Sequence, residues 1–220
     1  GGDTLTGSAQ ADSLQGNAGN DTIFGGASAD TITAGEGNDN IIGGNGADTM
    51  TGGDGTDNFD VATNGTTTVD VISDLALGTD NIFVSAAPSG GVVTSVTAAS
   101  GSSLAIAAAN AGTTIGANKA GIFTYSDESY LLINDATAGT ISAADTVVKI
   151  TGYTGTLAAG DLITSGISTG ITGTAAQAVS GTKAGDTFDA NTVDVTVSLN
   201  TTFETNGLDT IQNFTVGGAN

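Results

Sequence analysis

Gly43-Gly44-Asn45-Gly46-Ala47-Asp48-Thr49-Met50-Thr51, followed by Gly52-Gly53-Asp54-Gly55-Thr56-Asp57-Asn58-Phe59-Asp60, is the stretch that decides the fold. Read upstream from it, aspartate recurs every nine positions, at Asp3, Asp12, Asp21, Asp30, Asp39, Asp48 and Asp57. An apolar residue follows each by two: Leu5, Leu14, Ile23, Ile32, Ile41, Met50 and Phe59. For a single Asp in a Gly-rich loop, turn formation would be explanation enough. Seven copies in one phase require a periodic structure.

Nine residues are too few for a helix pair, but they suffice for a tight turn and a three-residue strand. Glycine allows the positive φ such a turn needs. The apolar residue points inward and its two neighbours outward. Two nonapeptides make one coil, so copies eighteen residues apart stack. One ladder is Asp3, Asp21, Asp39, Asp57 over Leu5, Ile23, Ile41, Phe59; the other is Asp12, Asp30, Asp48 over Leu14, Ile32, Met50. Coils lie roughly 4.8 Å apart. Carboxylates stacked that closely call for a cation, and the available ligands are all oxygens, which fits calcium. Candidate ligands are the seven aspartates with the turn residues Gly19, Gly37, Gly46, Gly55, Asn20 and Asn38. Sharing ions between coils allows about five sites.

These copies resemble the calcium-binding nonapeptide of RTX proteins, Gly-Gly-x-Gly-x-Asp-x-apolar-x, a known solenoid signature. The resemblance implies an all-β fold opening on a parallel β-roll, bound Ca2+, export by a type I secretion system and an extracellular place of action. Some copies are degenerate: Gln10 and Ser28 replace the fourth-position glycine and Ala34 the first. The Asp12, Asp30, Asp48 ladder is therefore expected to bind more weakly. Asp70-Val71-Ile72-Ser73-Asp74-Leu75-Ala76-Leu77-Gly78-Thr79-Asp80-Asn81-Ile82 looks like the segment that closes such rolls, with Leu75 where Phe is usual. Asp70, Asp74 and Asp80 are either further ligands or surface turn acids.

Composition points the same way. The 220 residues carry a net charge of −20, with three Lys, no Arg and no His. Phosphate contacts need Lys and Arg, so nucleic-acid binding is excluded, and anionic membranes are disfavoured. No run is long and apolar enough to span a membrane. There is no cysteine, and calcium can replace disulfides as a staple. The abundant Thr, Ala and Gly with little Lys resemble the usage of bacterial surface-layer proteins. The chain opens and closes in mid-pattern without an N-terminal signal, so we expect a piece of a longer or processed protein.

Three regions are expected: a roll over 1–60, a β-rich capping and assembly domain of sandwich-like character over 61–165, and a linker with a second β module over 166–220. In the middle region the sequence predicts a turn at Asn64-Gly65, a hairpin arm at Gly90–Val96, a helix from Ser103 to Gly112, and strands at Gly121–Tyr125, Tyr130–Ile133 and Val147–Ile150. Tyr125, Tyr130 and Tyr153 suit packing. A calcium loop using Asp135 and Asp145 is conceivable but lacks EF-hand spacing. Residues 165–174 read as a linker or edge strand. Gly181–Asp189 aligns with Gly52–Asp60, and Asp209–Gly217 echoes Asp70–Gly78.

Without His or Cys there is no Ser-His-Asp triad, thiol nucleophile or His-ligated zinc. Aspartates on solvated turns lack the apolar pocket a glycosidase acid needs. A non-enzymatic role is expected. One reading is a secreted surface-layer or extracellular-matrix module on the bacterial cell surface, self-associating through calcium into a lattice or filament, with cell-surface polysaccharide as a further partner. The other is the non-catalytic RTX part of a secreted enzyme, toxin or adhesin.

Overall fold

The computed structural model describes residues 1–61, 68–84, 86–134, 141–142 and 145–164, and two short strands beyond them. Successive nonapeptides alternate between two parallel sheets. Strands β1 (Thr4–Thr6), β3 (Thr22–Ala27), β5 (Asn40–Asn45) and β7 (Asn58–Asp60) build one; β2 (Ser13–Ala18), β4 (Thr31–Glu36) and β6 (Thr49–Asp54) build the other. The register aligns Leu5, Ile23, Ile41 and Phe59 in one column and Leu14, Ile32 and Met50 in the second. This is the eighteen-residue stacking that the period requires. All but Leu5 and Leu14, in the first coil, are fully buried.

The closing segment adds one further coil. Strand β8 (Val71–Ile72) sets Ile72 beside Met50, and β9 (Asn81–Phe83) sets Ile82 beside Phe59. Leu75, between them, is fully buried. The step along each ladder lengthens from 18 residues to 22 and 23.

Beyond this coil come β10 (Val92–Ala98), helix α1 (Leu104–Ile115), β11 (Ala120–Tyr125), β12 (Glu128–Ile133), β13 (Thr146–Ile150) and β14 (Leu162–Ile163). One sheet runs β10-β11-β12-β13-β8-β6-β4-β2, so the capping strands extend the roll's own sheet. The other runs β1-β3-β5-β7-β9-β14. Val92–Ala98 is not a hairpin arm: it pairs parallel to β11, as a crossover through a helix allows. The hairpin is β11–β12, turned at Ser126 and Asp127, whose φ of 51° and 63° suit a type I′ turn.

The Ser103 hydroxyl accepts from Ile106 N and caps α1. The helix continues past Gly112, the expected stop, to Gly116. A helical glycine costs about 1 kcal/mol, and the extra turn buries Ile115. Phe123 and Tyr130 stack at 5.3 Å over this helix face, and Tyr125 and Tyr153 pack at the edges of the two cores.

The chain divides into compact units 1–164 and 165–220. The boundary expected at residue 60 falls inside the first, whose main core runs continuously from Ile23 through Phe59 to Val148 and Leu162. In the second unit, β15 (Thr187–Asp189) pairs parallel with β16 (Thr210–Gln212). Thr187 and Thr210 are 23 residues apart, as are Asn58 and Asn81 in β7 and β9. Of the segment Asp209–Gly217, expected to echo Asp70–Gly78, only Thr210–Gln212 lies within the described residues. The turn at Asn64-Gly65, the candidate ligand Asp135 and the linker at 165–174 lie outside the described residues.

Candidate metal centre

From Asp21 onward, each ladder carboxylate ties two coils together. Asp21 Oδ1 accepts from Asp3 N at 2.7 Å, Asp39 from Asp21 N at 2.7 Å and Asp57 from Asp39 N at 3.0 Å. On the second ladder, Asp30, Asp48 and Asp70 accept from Asp12, Asp30 and Asp48 N, each at 2.8 Å. Sequence reasoning puts only a cation between stacked aspartates. The structure places a main-chain N–H there as well.

The second oxygen differs. Oδ2 of Asp21, Asp30, Asp39, Asp48 and Asp57 is buried without a hydrogen-bond partner. A buried polar atom left in that state is costly, and more so when charged. At Asp21 and Asp30 this oxygen converges with a carbonyl of the chain beside it. A Cβ built on Gly16 would lie 2.5 Å from Asp21 Oδ2 and 2.6 Å from Ala34 O; one on Gly25 would meet Asp30 Oδ2 and Gly43 O in the same way. The donor set is therefore carboxylate and carbonyl oxygen, the set a hard divalent cation takes. Among the described residues no three acidic side chains come together, and the carbonyls offer the further protein oxygens.

The other candidates sort by position. Gly19, Gly37, Gly46 and Gly55 are all left-handed, with φ of 128° to 152°. Gly19, Gly37 and Gly55 stack so closely that a Cβ on Gly37 would strike the Gly19 carbonyl. Gly37→Ala meets both that clash and the φ penalty, and should destabilise the folded roll by about 2 kcal/mol or more. A calcium-loaded melt unchanged from wild type would refute this. Asn20 Oδ1 accepts from Asn38 N and Asn38 Oδ1 from Thr56 N, so both side chains knit coils together. Asp3 is exposed, and Asp12 Oδ2 accepts from Ser8 N and Oγ. The first coil thus lacks the buried, partnerless oxygens of the inner coils.

Of the two readings for Asp70, Asp74 and Asp80, the structure bears on the surface one: their carboxylates accept from main-chain donors of the roll and the closing turn. Asp74 accepts from Gly52 N at 3.0 Å and Gly53 N at 2.8 Å; Asp80 accepts from Asp57 N at 3.1 Å and Ala76 N at 2.7 Å. Asp70 and Asp80 continue the two ladders at the longer steps. Asp145 Oδ2 accepts from Ser142 N. Sequence reasoning singled out no role for Asp161, which bonds to the closing turn at Gly78. Its signal is the stretch Gly155–Asp161, a strand followed by a Thr and a Gly-Asp pair, which resembles a feature common in the partners of RTX rolls.

Burial raises the pKa of Asp39, Asp48 and Asp80, with smaller contributions from neighbouring carboxylates. Asp57 is pushed up to about 7 by burial, then by Asp80, Asp39 and Asp74, against the lowering effect of the Asp39 N–H. A carboxyl raised in the folded state favours folding below its ordinary value of 3.8 and loses that contribution as pH rises through the raised value. A calcium-stripped chain should therefore gain β signal in circular dichroism as pH falls from about 7 towards 4. Asp57→Asn should blunt the response, and a signal that falls on acidification would contradict it.

Among the described residues no helix is long and apolar enough to cross a membrane. No curated protein matches the chain. A family model does: the RTX calcium-binding nonapeptide repeat, present as four copies in its model, matches residues 1–32 and 24–59. Such repeats bind calcium, and proteins that carry them are typically secreted and act outside the cell. A calcium ion held by the ladders would supply the positive charge that the five buried oxygens lack. Residues 1–59 are thus an RTX calcium-binding nonapeptide region, folded as a parallel β-roll.

Proposed function

We propose that the chain is a non-enzymatic structural module of the bacterial cell surface, whose roll folds on meeting extracellular calcium and then self-associates into a lattice or filament. The observation that carries the folding switch is the set of five buried, partnerless carboxylate oxygens on two ladders. In calcium-poor cytosol, residues 1–60 hold nine Asp and Glu36 with no Lys or Arg, and self-repulsion keeps them open for export through a type I channel. Outside, calcium neutralises the ladders and the apolar columns stack. Self-association is supported by composition: few Lys, abundant Thr, Ala and Gly, and no histidine or cysteine on which to base catalysis. A calcium titration followed by circular dichroism together with electron microscopy tests the proposal. A β transition accompanied by sheets or filaments supports it. The same transition in a particle that stays monomeric overturns the assembly half, and favours a folding module carried by another secreted protein.

A further inference from the structure

The closing turn at 73–80 is held from two sides. On the roll side, Asp74 grips Gly52 N and Gly53 N, and Asp80 accepts from Asp57 N. On the other side stands residue stretch 154–163, far outside the nonapeptides. Asp161, only 5% exposed, accepts from Gly78 N at 3.0 Å across 83 residues of sequence, and from Ala158 N at 2.7 Å. Leu77 N donates to Thr154 O, and Thr154 N donates to Leu75 O, each at 2.9 Å. Strand β14 then adds to β9, with Leu162 beside Ile82.

We propose that Asp161 is a positioning residue for the calcium site of the last full coil. Its oxygens are taken up by Gly78 N and Ala158 N. Its carboxylate fixes Gly78, and Gly78 lies two residues before Asp80, whose Oδ1 holds the main chain of Asp57. Asp57 carries the last of the partnerless oxygens on its ladder. Ordering of the closing turn therefore serves two partners at once. Docking of 154–163 preorganises the coil for the ion, and the bound ion in turn strengthens the docking, since such coupling is reciprocal. The inference rests on the calcium reading of the roll and adds a distant determinant of its affinity.

The test uses the whole 220-residue chain. Asp161→Asn retains the side-chain shape and one acceptor oxygen. It should raise the calcium midpoint of roll folding, read by circular dichroism, about fivefold. A double-mutant cycle separates coupling from general weakening. The shift should disappear in an Asp57→Asn background and persist in an Asp12→Asn background, at the far end of the roll. Equal shifts in both backgrounds, or a lowered melting temperature with an unmoved midpoint, would overturn the proposal. Should Asp161→Asn fail to fold, Gly155→Ala carries the same test. Gly155 has φ +82°, and a Cβ there would strike the Leu77 carbonyl, loosening the same turn without touching Asp161. A wild-type chain without any calcium transition removes the calcium reading itself. A wild-type transition that neither variant moves removes only this inference.

Discussion

Removing calcium from the folded chain at neutral pH is expected to abolish the β signal of residues 1–61 and to leave a chain that refolds only when the ion returns. The reason is local. Each inner coil buries a carboxylate oxygen that no donor reaches, at Asp21, Asp30, Asp39, Asp48 and Asp57. The apolar columns are thin: each coil buries only two or three apolar side chains, such as Ile23, Ile32 and Ala34, or Ile41, Ile42 and Met50. Burial of so few side chains does not by itself offset the backbone entropy of the eighteen residues that each coil fixes. The ion therefore decides the balance. Extracellular loop sites bind at about 10⁻⁴–10⁻³ M, so the transition should fall in that range and be steep, because adjoining coils share donors. Hydrogen exchange read segment by segment is the discriminating measurement. Protection at Ile23, Ile41 and Phe59 should vanish on calcium removal, whereas protection in β11–β13, whose strands close a core of their own with α1, should persist in part. Uniform loss across both regions would show that roll and cap fold only together. Unchanged protection in the roll would sink the switch.

Much of this was legible in the sequence because the period is strict. A nine-residue repeat with glycines at the turn leaves few geometries, and the eighteen-residue register follows from alternation between two faces. What the sequence hid lies where the period breaks. The step from Asp48 to Asp70 and from Asp57 to Asp80 is longer than eighteen, so pattern matching stops one coil early, although the ladder hydrogen bonds continue. The hairpin arm expected at Gly90–Val96 failed for a different reason. A β-rich run does not announce its partner, and the helix that follows it allows a parallel return to β11. Asp161 was invisible as a site residue because its meaning is a contact across 83 residues. The division at residue 60 marked a real change of pattern, yet a sheet can cross such a point when the next strand presents compatible backbone, as β8 does between β6 and β13.

Asp39→Ala is expected to raise the calcium midpoint about tenfold or more, against about twofold for Asp12→Ala. Two losses combine at Asp39. Its Oδ1 is the acceptor for Asp21 N at 2.7 Å, in a fully buried setting, and an amide left there without a partner costs about 1–3 kcal/mol. Its Oδ2 is one of the oxygens without a donor, so its removal also takes a ligand from the ion. Asp12 lies in the first coil, half-buried, with Oδ2 already bonded to Ser8. Asp39→Asn separates the two losses. It keeps an acceptor for Asp21 N and loses the charge, so it should fall between the other two variants. The degenerate glycines at Gln10, Ser28 and Ala34 suggested a weaker ladder through Asp12, Asp30 and Asp48. The geometry attributes weakness to the end of the roll instead, because Asp30 and Asp48 hold the same partnerless oxygen as Asp21 and Asp39. Asp30→Ala therefore discriminates between the two accounts. A shift as large as that of Asp39→Ala would assign the effect to depth within the roll, and one as small as that of Asp12→Ala would return it to the ladder. If Asp39→Ala and Asp12→Ala moved the midpoint equally, burial of the carboxylate would not be what sets calcium affinity, and the site as drawn would fail.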